Sequence, residues 1–216
     1  MTNIFTNTFT YFSTLPFWEL LAVLLSVAYV VLVAQNNRWC WPAAFVSTLI
    51  FTVIFYDVSL LMESLLNIYY MAMALYGWYC WQNSKVLGAN NELPICSWPW
   101  LKHLKLITIL SVISLMLGFI MDNYTQASFA YLDTFTTVFA ISTTYLVAIK
   151  VLENWLYWFV INSVSLYLYL QKGLEPTAAL AAFNILMCII GFIKWYKVYC
   201  KQALNGRARL TPNSIG

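Results

Sequence analysis

Runs of apolar residues long enough to cross a bilayer alternate with short polar breaks along almost the whole chain. Seven spans can be drawn from them: 17–34, 39–56, 59–81, 104–121, 129–149, 154–170 and 174–196. Pro42 and Pro176 fall in the first turns of the second and seventh, where the missing N–H has no intrahelical partner to lose. The sixth span departs from a plain hydrocarbon helix. At 100° per residue Asn154, Trp158, Asn162, Ser165 and Tyr169 fall within an arc of about 80°, a polar line on an otherwise apolar helix. Amides are costly against lipid, so this stripe is predicted to face protein, water or a ligand. Glu63, Asn67, Tyr70, Ala74 and Trp81 share a face of the third span in the same way, as do Thr177, Asn184, Cys188, Gly191 and Trp195 on the seventh.

The pattern also repeats. Laying residues 32–81 over 146–195, an offset of 114, gives eleven identities in 50 positions without a gap. Leucine and valine matches mean little in apolar helices. The pairs Trp41/Trp155, Trp81/Trp195 and Gly77/Gly191 in one register mean more. They predict a duplicated unit of three helices. Two such units joined directly would point in opposite directions, and the unmatched span 104–121 supplies the extra crossing that makes them parallel. The fold class expected is an all-α integral membrane protein, one membrane domain over 1–216. Repeat one covers about 17–81, a linker helix about 104–121, and repeat two about 129–199. Carriers built from parallel repeats bind near the midplane where the repeats meet.

Composition sharpens this picture. With 62% apolar and only 9% charged residues, against about 25% charged in soluble domains, nothing is left over for an extramembrane domain. Arg38, Lys85, Lys102, Lys105, Lys150, Lys194, Lys197, Lys201, Arg207 and Arg209 fall at one end of the spans and only Lys172 at the other. The positive-inside rule then sets the C-terminus in the cytoplasm and the N-terminus outside. The net charge of +3 is thus a topology signal, not a nucleic-acid footprint. Met1 to Pro16 lacks the basic residues of a signal peptide, so the first span is expected to be retained.

Several chemistries are disfavoured. The five cysteines form no CxxC pair and the one histidine, His103, falls in a predicted loop, so neither a metal site nor any other cofactor is expected. No GxxxxGK[ST], GxSxG or HExxH sequence is present, which argues against ATP coupling and against an enzyme. A retinal-type Schiff base needs a lysine at mid-helix, and Lys194 is at the cytoplasmic end of the last span. Apart from Glu19 and Glu175 at span ends, only Glu63 and Asp133 are carboxylates within spans, both toward the outer side, too few for an ion relay across the midplane.

The arrangement of three, one and three helices, the sixth helix opening Glu153-Asn154-Trp155 with Trp158 and Asn162, and the third helix with Asn67, Tyr70, Gly77 and Trp81 together resemble the PnuC family of bacterial nicotinamide riboside transporters. The resemblance runs from about Phe17 to Tyr199. It implies a SWEET-like fold and facilitated diffusion of nicotinamide riboside across the bacterial inner membrane. It also implies trapping of the product by a cytoplasmic nicotinamide riboside kinase, a functional partner. The carrier would sit among membrane lipids, alone or as a homo-oligomer.

The candidate site residues fit that ligand. Asn67, Asn162, Asn184 and Thr48 fall at mid-depth on four helices, with Tyr70 and Trp158 beside them and Glu63 one turn outward as a cation-attracting carboxylate. Asparagines can pair with both an amide and ribose hydroxyls, and aromatic faces attract a desolvated pyridinium by about 1 to 2 kcal/mol. The same set would suit thiamine or a sugar. Intramembrane asparagines equally serve as interhelical bonds worth about 0.6 kcal/mol. Trp41, Trp81, Trp155, Trp195 and Asn154 lie nearer the cytoplasmic end and are expected to form a gate, or an interfacial belt.

Overall fold

The computed structural model describes residues 16–57, 61–82, 93–125 and 129–210, and side chains within these except at 61, 62 and 205–210. The amino-terminal segment, Lys85, and the side chains of Arg207 and Arg209 lie outside the described residues. Seven helices make up nearly all of the rest: α1 (Phe17–Ala34), α2 (Cys40–Asp57), α3 (Leu61–Gln82), α4 (Trp100–Tyr124), α5 (Ala130–Ala148), α6 (Asn154–Gln171) and α7 (Glu175–Leu210). By length and composition α1, α2, α4 and residues 175–204 of α7 can each cross a membrane. Helices α3, α5 and α6 are 22, 19 and 18 residues long but carry more polar side chains. The chain is an all-α, multi-pass membrane protein.

Two elements outrun the spans read from hydropathy. Helix α4 begins at Trp100, which puts His103 in its first turn and not in a loop, where its Nδ1 lies 3.0 Å from the Tyr157 hydroxyl. Helix α7 continues for 36 residues, about 54 Å at 1.5 Å per residue. Hydropathy falls after Tyr196, but Lys, Gln, Ala and Leu are good helix formers, so the helix leaves the apolar layer without ending. The Gln202 side chain accepts from the Ile95 backbone N–H at 3.1 Å and ties this extension to the segment before α4.

Six helices pack pairwise into a closed ring: α1 on α2, α2 on α3, α3 on α5, α5 on α6, α6 on α7, and α7 back on α1. Helix α4 stands outside, packed on α5. The apolar side chains of α4, among them Ile109, Leu115, Met116 and Phe119, are exposed as expected of a lipid-facing surface. Lipid is as apolar as leucine, so helix association rests on close packing and interhelical hydrogen bonds rather than on the hydrophobic effect. Such bonds join successive members of the ring. Ser47 donates to the Ala22 carbonyl (2.8 Å), Ser64 to Thr52 (3.0 Å) and Tyr69 to Ile141 (2.8 Å).

Local structure recurs at the 114-residue offset. The turns that follow α1 and α5 carry Asn36 and Lys150, both left-handed at φ 55° and 54°. In each, the next N–H reaches back to close the turn, Asn37 to Leu32 (2.9 Å) and Val151 to Leu146 (2.9 Å). The segment before α4 is pinned across the second of these turns: Cys96 donates to Lys150 (3.0 Å) and accepts from Leu152 (2.8 Å).

Candidate functional site

The end of the ring that gathers the basic residues is sealed by indoles. Trp41 and Trp81 meet edge to face at 5.5 Å and 90°, Trp155 and Trp195 at 5.5 Å and 89°, and Trp81 meets Trp195 at 6.1 Å. The quartet reaches from α2 through α3 and α7 to α6. Each central indole is bonded to the next helix of the ring: Trp81 donates to Ala148 at the end of α5 (3.0 Å), and Trp195 to Val33 near the end of α1 (2.9 Å). The outer indoles need glycine opposite them. A Cβ at Gly77 would run into the six-membered ring of Trp41, and one at Gly191 would stand 2.5 Å from Trp155 Cζ2 and Cη2. The Lys150 ammonium lies 4.1 Å from the Trp81 ring centroid, a buried cation over an indole face.

Behind this seal two cavities stack along the ring. The first, about 160 Å³, is lined by Tyr29, Val33, Val147, Asn154, Trp155 and Cys188 together with Trp158, Asn162 and Asn184. The second, about 250 Å³, shares Trp158, Asn162 and Asn184 and adds Tyr70, Thr136, Thr137, Ser165, Tyr169 and Thr177. The three shared side chains thus sit where the cavities meet. Among the described lining residues of both there is no Lys, Arg, Asp or Glu. Towards the other end of α5 and α6, Asp133 pairs with Lys172 at 3.0 Å.

Of the side chains expected at mid-depth, Tyr70, Trp158, Asn162 and Asn184 come together here. Thr48, Asn67 and Glu63 are not among the described lining of either cavity. The Thr48 hydroxyl bonds to the Ala44 and Phe45 carbonyls of its own helix (2.8 and 3.1 Å), and the Asn67 amide to the Glu63 carbonyl (2.9 Å). Glu63 itself is exposed. Trp41, Trp81, Trp155 and Trp195 form the seal, and Asn154 lines the cavity directly beneath it. The threonines of α5 and Tyr29 of α1 were missed by the stripe reading. Thr136 and Thr137 stand in the polar run Thr-Phe-Thr-Thr, a usable signal; Tyr29 has only Ser26 among leucine, valine and alanine nearby and gives a weak one.

Known proteins share this architecture. The family profile described as nicotinamide mononucleotide transporter matches residues 16–197. The nicotinamide riboside transporter PnuC of Escherichia coli is 25% identical over 195 residues, covering 78% of this chain and 74% of that one. The riboflavin/roseoflavin transporter RibM of Streptomyces davaonensis is 25% identical over 140 residues, 64% of this chain and 65% of that one. The crystal structure of the vitamin B3 transporter PnuC superposes with a TM-score of 0.70 over 93% of this chain and 90% of that one, at 16% identity.

Proposed function

The chain belongs to the nicotinamide mononucleotide transporter family, and from that premise we propose that it carries nicotinamide riboside across the bacterial inner membrane by facilitated diffusion. The observation that carries this reading is the uncharged, aromatic and amide-bearing lining of the two stacked cavities. A mononucleotide would bring a phosphate dianion into an interior whose described lining offers no cation, and an unpaired buried charge costs several kcal/mol. A riboside asks for much less. Its pyridinium can lie against Trp158 and the tyrosines, its hydroxyls against Thr136, Thr137 and Ser165, and Asn162 and Asn184 can both donate and accept. The same logic supports trapping by a cytoplasmic kinase, because the phosphorylated product no longer suits the cavity.

Gating follows the three-helix units, about 17–81 and 129–199, which we take to be joined by the linker helix α4. The basic end is assigned to the cytoplasm by the charge bias, with the N-terminus outside. Trp41, Trp81, Trp155 and Trp195 then form the inner gate, and rocking of one unit on the other separates the two central indoles from the carbonyls of the opposite unit. No ion is coupled in this scheme: Asp133 is paired with Lys172, Glu63 is exposed, and neither lines a cavity.

The test is equilibrium binding of nicotinamide riboside, nicotinamide mononucleotide, thiamine and riboflavin to the purified protein, followed by uptake into vesicles. The riboside is expected to bind best, and its uptake to stop at equal concentrations and ignore an imposed proton gradient. Binding of the mononucleotide or thiamine in preference to the riboside would overturn the substrate. Accumulation against the gradient would overturn the mechanism.

A further inference from the structure

A third cavity lies outside the ring, apart from the two that stack behind the seal. It measures about 380 Å³, and its walls are α4 at His103, Ile107 and Ser111, the start of α6, and Phe135 and Phe139 of α5. Helix α4 packs on α5, and a groove stays open between it and α6. The three wall residues of α4 stand four apart, on one face over two turns, a length of about 12 Å. Half of a hydrocarbon core is about 15 Å, so the groove covers most of the leaflet on the basic side. Ile107, Leu156 and Val160 form its lips and are 41%, 52% and 50% exposed, so it opens sideways to lipid.

Its two ends differ in chemistry. The deep end is apolar, floored by the rings of Phe135 and Phe139 at 4.3 Å from each other. At the basic end it is closed by His103, Tyr157 and Glu153. His103 Nδ1 and the Tyr157 hydroxyl hold each other at 3.0 Å. Glu153 accepts from the Ser97 hydroxyl on one oxygen and from the Trp98 backbone N–H, at 3.3 Å, on the other. A carboxylate has about four lone-pair sites, so about two are left for a further donor. Among the described lining residues there is no Lys or Arg, and Glu153 is the one carboxylate.

We propose that this groove holds one acyl chain of a phospholipid whose headgroup carries a primary amine, as in phosphatidylethanolamine. The chain lies between α4 and α6 over the two phenylalanines, and the ammonium donates to Glu153. The surrounding end of the protein is basic, with Lys102 and Lys105 in the first turns of α4, and surface charge alone would favour an anionic lipid. The carboxylate within the groove reverses that preference at this one place. A choline headgroup has no N–H to donate and forfeits the bond. At the 114-residue offset Glu153 is matched by Trp39, and α4 has no counterpart, so each chain offers the site once.

The test titrates the full-length protein in mild detergent with phosphatidylethanolamine, phosphatidylcholine or phosphatidylglycerol of one chain length and counts bound lipid by native mass spectrometry. The wild type is expected to retain one phosphatidylethanolamine, at about fivefold or higher affinity than either of the others, the difference made by one charge-assisted bond. Glu153→Gln keeps an acceptor for Ser97 and Trp98 but removes the charge, and should level phosphatidylethanolamine with phosphatidylcholine. Ile107→Trp and Leu156→Trp fill the groove from opposite walls, and each should abolish retention. Wild-type retention of phosphatidylglycerol in preference would show that the basic surface rules, and equal retention of the ethanolamine and choline lipids would remove the amine site; either overturns the proposal without any variant. Tryptophan variants that keep phosphatidylethanolamine as the wild type does would place the lipid elsewhere. Loss of a wild-type oligomer in those variants, with lipid retention unchanged, would make the groove an interface between copies instead. None of these outcomes depends on which solute the ring carries.

Discussion

Replacing Gly191 with alanine sets two effects of opposite sign against each other. In a helix interior, Gly→Ala normally stabilises by about 0.5–1 kcal/mol, because alanine loses less backbone freedom on folding. At Gly191 the new Cβ would stand 2.5 Å from Trp155 Cζ2 and Cη2, so about 1 Å of movement is needed to restore ordinary contact. Trp155 cannot make that movement freely. It is buried and set edge to face against Trp195 at 5.5 Å, and Trp195 is itself bonded to the Val33 carbonyl at 2.9 Å. Overpacking of this kind costs about 1–3 kcal/mol, which exceeds the propensity gain, so the variant should be less stable by about 1–2 kcal/mol. For a chain of this length that is a fall in melting temperature of about 2–8 °C, readable from tryptophan emission on heating the purified protein. Phenylalanine at 155 lacks the indole carbons that clash, so Gly191→Ala combined with Trp155→Phe should lose less than the two single changes added together. A Gly191→Ala protein that melts above the wild type would show that propensity rules there. The packing of Trp155 on α7, and with it the account of the seal, would then be wrong.

Four further outcomes are expected. Asn162→Leu and Asn184→Leu should each weaken nicotinamide riboside binding at least about tenfold with little change in melting, since each removes a bond to ligand without opening a cavity; unchanged affinity in both would refute the central pocket. Trp81→Phe and Trp195→Phe each remove one N–H bond between neighbouring helices, to Ala148 and Val33, and part of a buried ring, and should each cost at least about 1 kcal/mol in thermal or denaturant unfolding. Asp133→Asn breaks an exposed pair with Lys172 and should cost no more than about 1 kcal/mol, an effect that vanishes at high salt. The Cys96 thiol, in the segment before α4, is held above its ordinary pKa first by burial and then by the Glu153 carboxylate. Its alkylation, followed site by site by mass spectrometry, should therefore rise with pH later than that of a free cysteine, and Glu153→Gln should shift the rise to lower pH.

The amino-acid sequence by itself determined the crossings and the class of fold, and it carries the 114-residue pattern of matches. These depend on local apolar length and on matches such as Trp41/Trp155 and Gly77/Gly191, which any register of the chain preserves. It also picked out Trp158, Asn162 and Asn184, because a polar residue on an apolar helix face is informative when the surrounding solvent is lipid. Tertiary structure decided which stripes meet. Helical periodicity puts Thr48 and Asn67 on polar faces as good as that of Asn162, and all three bond to carbonyls of their own helices, yet of the three only Asn162 is in the described lining of the cavities, where Thr136 and Tyr29 join it. Depth along a helix can be read from residue number, but rotation about its axis is fixed by its neighbours. In this ring those neighbours come from both units: α1 against α7, and α3 against α5. The bond from Trp81 to Ala148 and the burial of Asn154 Oδ1 are settled by that closure, which brings together residues far apart in the chain and so leaves no trace in local pattern.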